Sequence, residues 1–214
     1  MIVLAIDTAL DACQAALTDA GKVRFSRSEP MHRGHQERLA PLLAEAMAAT
    51  GARFAELERI GVTTGPGSFT GLRVGLAFVK GLALACGVPC VGIGVLEALA
   101  ASLPQSAGRV LAVIDAKRGQ VYLQLFQDGG PASPPEAVLV GDVGAWLDQR
   151  GGRRRLTLVG SGASLLSDVV APDRVVDLAA PDPLAVARLA ERAPEPDAMP
   201  RPLYLRPPDA RPTA

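Results

Sequence analysis

A β-rich run ending in aspartate occurs twice in this chain, as VLAID at Val3–Asp7 and as VLAVID at Val110–Asp115. Each copy opens a similar order of elements, and an internal repeat at that spacing calls for two similarly built lobes. After the first copy come ACQAALT and KVRFSRS, parted by the hairpin-turn signal DAGK at Asp19–Lys22. A helical segment follows at His35–Thr50, where Leu39, Leu42, Leu43, Ala46 and Met47 recur at three- and four-residue steps before Gly51. RIGVTTG is then a strand, Leu72–Cys86 a helix ended by Gly87, PCVGIG a strand and Val95–Leu103 a helix. The order is βββαβαβα. The second half offers RVLAVIDA, QVYLQLFQ and a strand near EAVLV, then the helix VGAWLDQR capped by Asp142. RLTLVG, ASLLSDVV, RVVDL and PLAVARLAER complete it as strand, helix, strand and helix.

Alternating β and α elements of this kind give an α/β architecture, mixed sheets flanked by helices. Two such lobes in tandem resemble the actin-like ATPase (ribonuclease H-like) fold of sugar kinases and Hsp70-type chaperones. That resemblance implies an ATP position between the lobes, held by two β-hairpins. The expected organisation is a first lobe over 1–104, a smaller second lobe over 105–192 and a proline-rich tail over 193–214, with the join near Leu103–Gly108. In the tail only LYLR has the side chains to dock on a lobe.

The 214 residues are 49% hydrophobic and 21% charged, enough apolar material for a buried core. Lysine plus arginine and aspartate plus glutamate balance at 22 each, which argues against stand-alone nucleic-acid binding while allowing RNA contact within a complex. Cys13, Cys86 and Cys90 form no zinc pattern and read as small buried thiols in a reducing cytosol. The start MIVLAIDT lacks a positive flank, and its apolar run is too short for a signal peptide. The stretch from Val74 to Leu96 is interrupted by Lys80, glycines and Pro89, so it reads as buried helix then strand instead of a membrane span. A cytoplasmic protein is expected.

The segment TTGPGSFTGLRVG, Thr63–Gly75, raises the question of phosphate binding. A Walker loop needs Gly-Lys-Ser/Thr, and here the nearest lysine is Lys80, inside the helix. The dinucleotide fingerprint also fails. A structural loop is the preferred reading: Gly65 and Gly67 free the backbone around Pro66, and Ser68 or Thr70 caps the helix. That helix, LRVGLAFVKGLALACG, is apolar all round, with only Arg73 and Lys80 charged. Such a helix must be covered on all sides. Two covers are open, a partner protein admitted by Gly71 and Gly75, or the preceding helix His35–Thr50.

Catalytic equipment is sparse. The first hairpin, IDTALDACQAAL, has no glycine between Asp7 and Leu17, and the second, IDAKRGQVYL, carries Lys117 and Arg118 where backbone would close on phosphate. Asp7 and Asp115 offer carboxylates to magnesium through water, but strand-ending aspartates are ordinary turn formers, the reading preferred here. LVGSGASLL at Leu158–Leu166 resembles the adenosine-side turn of the actin-like fold. His32 and His35 stand three apart without a third ligand, and no serine or cysteine has a nucleophile signature. RGGRRRL, Arg150–Leu156, is either a phosphate-contacting run or, the commoner case, a solvated loop after a helix.

GPGSFTGLRVGLAFVKGLALACGVPCVGIGVLEALA, IDTA, DAKRGQVYLQLF and LYLR together resemble the TsaB (YeaZ) family. The resemblance implies an accessory protein of tRNA threonylcarbamoyladenosine synthesis, a non-catalytic paralogue of the metal-containing transferase TsaD. It implies activation of TsaD, which modifies the adenosine next to the anticodon of tRNAs reading codons that begin with A. TsaD is bound through first-lobe helices, the ATPase TsaE joins them, and the protein alone forms a homodimer through much the same surface. TRNA is met only via the complex, no membrane is involved, and no cofactor is required, with weak ATP or ADP binding conceivable at the partner interface. Carried onto this chain, the contacts are His35, Leu39, Leu42, Leu43 and Ala46, with Arg73, Val74 and Phe78 from the next helix; Gly65, Pro66, Gly67, Ser68, Gly71 and Gly75 form the structural loop. The competing reading is an enzyme of the same superfamily, an ATP-dependent phosphotransferase or a metallopeptidase.

Overall fold

The computed structural model describes residues 1–104 and 108–206. Five strands form the first sheet: β1 (Ile2–Asp7), β2 (Ala12–Asp19), β3 (Lys22–Pro30), β4 (Arg59–Gly65) and β5 (Cys90–Gly94), in the order β3-β2-β1-β4-β5. β1, β2 and β3 are antiparallel neighbours, whereas β4 and β5 run parallel to β1. Helices α1 (His35–Thr50) and α2 (Phe69–Cys86) lie on the crossovers that the parallel β1–β4 and β4–β5 pairings require, and α3 (Val95–Ala101) leads from β5 into the second sheet. The second sheet contains β6 (Arg109–Lys117), β7 (Gln120–Gln127), β8 (Gly130–Pro131), β9 (Glu136–Leu139), β10 (Leu156–Val159) and β11 (Arg174–Val176). Its path is β11-β10-β6-β7-β8, with β9 also pairing β7; the helices of this half of the chain are α4 (Val143–Asp148), α5 (Ser167–Val170) and α6 (Pro183–Arg192).

The two-residue period of a strand explains why the central strands read as continuous apolar runs. From β1, Leu4 and Ile6 join a core with Leu39, Leu42 and Leu43 of α1 and Leu76 and Val79 of α2. Val3 and Ala5 point the other way, into a core with Val186, Ala187 and Ala190 of α6. The central strand of the second sheet divides likewise: Leu111 and Val113 face Val143 and Leu147 of α4, while Val110, Ala112 and Ile114 face Leu96 and Leu99 of α3.

Helix assignment to the sheets departs from sequence order. The division at 104/105 places α6 with the second lobe, yet α6 covers the first sheet, and α3 covers the second. Gly61 admits α6: a Cβ there would lie 2.5 Å from that of Ala190. Asp182 N–H donates to Ser102 Oγ at 2.8 Å, tying the two exchanged helices together. Part of the join expected near Leu103–Gly108, residues 105–107, falls outside the described residues. The tail does dock through LYLR: Leu203 N–H donates to the Thr64 carbonyl at 2.7 Å, and Arg206 Nη1 donates to the Ala116 carbonyl at 3.2 Å across the lobes.

The open edge β3 is protected by charge, a common guard against edge pairing. Arg38 of α1 forks onto Glu29 of β3 at 2.5 and 2.6 Å and reaches Glu45 at 2.7 Å, and Arg27 also pairs with Glu45. The Arg38 hydrogen bonds hold the Glu29 and Glu45 carboxyls below the ordinary value of 4.5. Because these folded-state values are depressed, the stabilisation is complete above about pH 4.5 and fades as pH falls through the lowered values. Arg38→Gln should therefore be less stable than the parent at pH 7, the gap narrowing toward pH 3 in urea titrations. A gap independent of pH would refute the linkage.

Candidate functional site

Two places concentrate the residues singled out above, the cleft between the lobes and the outer side of α1 and α2. In the cleft Asp7 is buried, its Oδ1 accepting from Ala9 N–H at 3.0 Å and Thr63 Oγ1 at 2.6 Å, its Oδ2 from Gln14 Nε2 at 2.8 Å. Burial pushes its carboxyl up from 3.8 despite these three donors. A closed, hydrogen-bonded carboxyl of this kind is a turn former and a poor anchor for a hydrated cation. Partial burial also acts upward on Asp115, but the Lys117 ammonium at 2.7 Å and the Lys117 N–H at 2.7 Å outweigh it and leave the carboxyl below its usual value. Lys117, Arg118 and Gly119 all take left-handed backbone angles in the β6–β7 turn.

A cavity of about 310 Å³ remains there, bounded by Ser68, Asp115, Lys117, Tyr122, Ser161 and Arg206. The turn that resembles an adenosine site is spent on packing: a Cβ on Gly160 would lie 2.3 Å from the Val113 carbonyl oxygen, and one on Gly162 would lie 3.0 Å from Asp115 N. The two histidines part company. His32 is exposed and meets Asp11 at 3.0 Å, whereas His35 is buried. Burial pushes the Cys13 and Cys90 thiols up to about 11, which leaves almost no thiolate for nucleophilic chemistry near neutral pH.

The glycine-rich loop holds protein where a P-loop holds phosphate. Gly65 has φ +114° and precedes a cis Pro66. Gly67 does not need an unusual angle; its missing side chain makes room for Ala9, whose carbonyl oxygen would sit 2.4 Å from a Cβ. At Gly71 and Gly75 a Cβ would come within 2.0 Å of the Thr8 carbonyl and 2.5 Å of Thr8 Oγ1. These glycines therefore admit the β1–β2 turn, not a second helix as the sequence suggests. Ser68 caps α2 by accepting from Gly71 N–H at 3.2 Å, its own N–H donates to the Ala9 carbonyl at 2.7 Å, and Thr8 Oγ1 donates to the Gly71 carbonyl at 2.8 Å.

On α1 the expected contact residues His35, Leu39, Leu42, Leu43 and Ala46 are all buried. The stripe Leu39, Leu42, Leu43, Ala46 and Met47 is buried in the core, so the five contacts carried over from the resemblance are core residues, and the exposed positions of α1 are Gln36, Glu37, Ala40, Pro41, Ala44, Ala48 and Ala49. On α2 the expectation fares differently: Arg73 is exposed, and Val74 and Phe78 are half-buried against the core. Of the two covers weighed from sequence, α1 packs on α2, and Val74 and Phe78 pack against the shared core, while another side of α2 is left exposed. Only six of the 18 residues of α2 are buried. Its bare side runs Arg73, Ala77, Lys80, Gly81, Leu84 and Ala85, with Leu84 82% exposed. Ala77 and Leu84 are not among the expected contacts, although Leu84 is one of the apolar residues that surround this helix in the sequence; their positions opposite Gly75 and Val79 on the helical wheel are the signal that identifies them. By length and composition α2 alone, among the described residues, would suit a membrane crossing, yet here it packs on β4 and α1.

At the α2 N-terminus an open groove of about 530 Å³ is bounded by Gln36, Phe69, Arg73, Val74, Ala77 and Phe78. The Arg73 guanidinium lies 3.7 Å over the Phe69 ring, whose centroid is 5.3 Å from that of Tyr204. The docked tail thus contributes an aromatic wall to the same face.

Two lobes with a cleft between them, each built on a mixed sheet, define the actin-like ATPase class; the ROK hexokinase from Thermus thermophilus shares the fold at TM-score 0.52 and 15% identity, over 89% of this chain and 99% of that one. Residues 28–139 match the family model of TsaD, tRNA N6-adenosine threonylcarbamoyltransferase. YeaZ from Pseudomonas aeruginosa superposes with TM-score 0.84 at 28% identity, covering 95% of this chain and 99% of its own. The tRNA threonylcarbamoyladenosine biosynthesis protein TsaB of Escherichia coli K12 is 38% identical over 129 residues, 59% of this chain and 55% of that protein. The chain thus spans about half the length of the curated TsaB relatives it matches. An uncharacterized protein of Mycobacterium tuberculosis H37Rv is 34% identical across 99% of this chain and 95% of its own. This chain belongs to the TsaB (YeaZ) family.

Proposed function

We propose that the chain takes part in tRNA threonylcarbamoyladenosine biosynthesis as a non-catalytic subunit that binds TsaD and activates it. The observation that carries this reading is the bare side of α2, where Ala77 and Leu84 are exposed, with the Arg73–Phe69–Tyr204 stack at its N-terminal end. Exposed apolar side chains grouped on one side of a helix, as Ala77, Leu84 and Ala85 are, mark a protein contact. The cleft supports the non-catalytic part, because Lys117 occupies Asp115 and the β1–β2 turn seals the α2 N-terminus. The docking contacts are accordingly redrawn, keeping Arg73, Val74 and Phe78 and replacing the buried α1 residues with Ala77, Leu84 and the outer alanines of α1. On this reading TsaE joins the pair in the cytoplasm, tRNA reading codons that begin with A is the substrate of the complex, and two copies pair through the same face when TsaD is absent. Weak ATP or ADP binding belongs to the assembled interface.

The test is reconstitution. TsaD, TsaE, threonylcarbamoyl-adenylate and tRNA are combined with and without this chain, and the modified nucleoside is quantified. Addition should raise the modification rate by on the order of tenfold or more, about 1.4 kcal/mol or more in the barrier. An unchanged rate, or turnover of a substrate by the chain unaided, defeats the reading.

A further inference from the structure

The arginine run Arg150–Arg155 divides into two groups with different duties. Arg150 donates to the Trp146 carbonyl at 3.1 Å and lies 4.0 Å over its ring, Arg153 pairs with Asp148 at 3.0 Å, and Arg109 donates to the carbonyls of Arg150, Gly151 and Gly152. These three close the turn after α4, where free carbonyls attract cations. Arg154 and Arg155 have no such work: both are exposed, and neither makes an ion pair or hydrogen bond among the described residues. They border an open concavity of about 950 Å³ together with Arg109, Asp128, Arg153 and Asp173. Of its two carboxylates, Asp173 is engaged, Oδ2 accepting from Leu156 N–H at 2.8 Å.

Strand register extends the patch. β6, β10 and β11 are parallel, with Leu156 opposite Arg109 and Thr157 opposite the exposed Arg174. The basic residues therefore share one edge of the second sheet, at the strand starts, whereas Asp115 and Ser161 lie toward the strand ends. Arg154 and Arg155, consecutive in the chain and without carboxylate partners among the described residues, offer two unneutralised positive charges to an entering anion. Their planar forks fit phosphate oxygens, and a wide, shallow concavity suits a chain of phosphates better than one enclosed anion.

We propose that this edge of the second lobe contacts the phosphate backbone of RNA. The inference rests on the reading above, which brings a tRNA to the complex. It goes further by assigning this chain a direct, sequence-independent contact, on a different lobe from the TsaD-docking helix. The chain's balanced total charge means the contact adds to binding by the assembly instead of dominating it.

The test is the double variant Arg154→Gln, Arg155→Gln, compared with the parent in complex with TsaD. Fluorescein-labelled tRNA is titrated by anisotropy across a salt series. Removal of two phosphate contacts should weaken binding roughly tenfold and lower the slope of log affinity against log salt by about 1.4 to 1.8. Melting temperature and co-elution with TsaD should not change. Equal affinity and equal slope overturn the proposal. So does a loss seen with vesicles of anionic phospholipid and absent with tRNA. If the parent fails to co-elute with TsaD, the functional reading falls by itself. The same titration of the isolated chain then decides the patch, where a drop upholds it and parity overturns it.

Discussion

Gly71→Ala is expected to destabilise the protein by about 3 kcal/mol, lowering the melting temperature by about 6 to 12 °C. Helix propensity alone points the other way, since alanine is favoured over glycine by about 1 kcal/mol inside a helix. The surroundings decide the sign. A Cβ at Gly71 would lie 2.0 Å from the Thr8 carbonyl oxygen and 3.2 Å from its carbon, and both are backbone atoms that no rotamer change can move. Relief requires drawing the β1–β2 turn away from α2, which strains the Thr8-to-Gly71 and Ser68-to-Ala9 hydrogen bonds. Gly81 is the internal control: it lies on the same helix, is exposed and has nothing within 4 Å of its added Cβ. Gly81→Ala should gain about 0.5 to 1 kcal/mol. Urea unfolding of both variants checks the pair. Equal gains from the two substitutions would show that the turn does not press on Gly71.

A second large effect is expected in binding without loss of fold. Ala77→Glu combined with Leu84→Glu should leave unfolding within about 0.5 kcal/mol of the parent, because both side chains point to solvent and Leu84 is 82% exposed. The same variant should lose TsaD affinity by about 100-fold, the equivalent of roughly 2.7 kcal/mol, since truncation or charging of a central apolar anchor costs that much at an interface. Phe78→Asp cannot separate the two effects, for Phe78 packs against the core beneath it. Leu39→Glu would unfold the chain outright, burying a charge at a site with no exposure. Surface-immobilised TsaD provides the readout, and retention of the double glutamate variant at parental affinity would move the docking face elsewhere.

The elements themselves were largely legible in the chain. The DAGK turn, the α1 stripe and the Gly51 and Gly87 stops correspond to β2–β3, α1 and the end of α2. α2 begins at Phe69 instead of Leu72 because Ser68 supplies the cap. The two-residue β8 carries no periodic signal and was not anticipated. Of the contact residues implied by the family resemblance, the three on α2 are exposed or half-buried and the five on α1 are buried. The reason is that an apolar stripe reports burial and not what does the burying. On α1 the sheet claims the stripe, whereas on α2 the apolar residues exceed what the sheet and α1 can cover.

Local periodicity and turn chemistry suffice for the order of the main elements and for the α/β class, because each is a contact or dihedral preference among near neighbours in the chain. Three matters depended on residues far apart: α6 lying on the first sheet, the β1–β2 turn seated on Gly67, Gly71 and Gly75, and the separation of idle from employed arginines before β10. Pairings between distant segments depend on how layers close around a shared core. No window of sequence contains both halves of such a contact, so its partner is known only when the chain is folded.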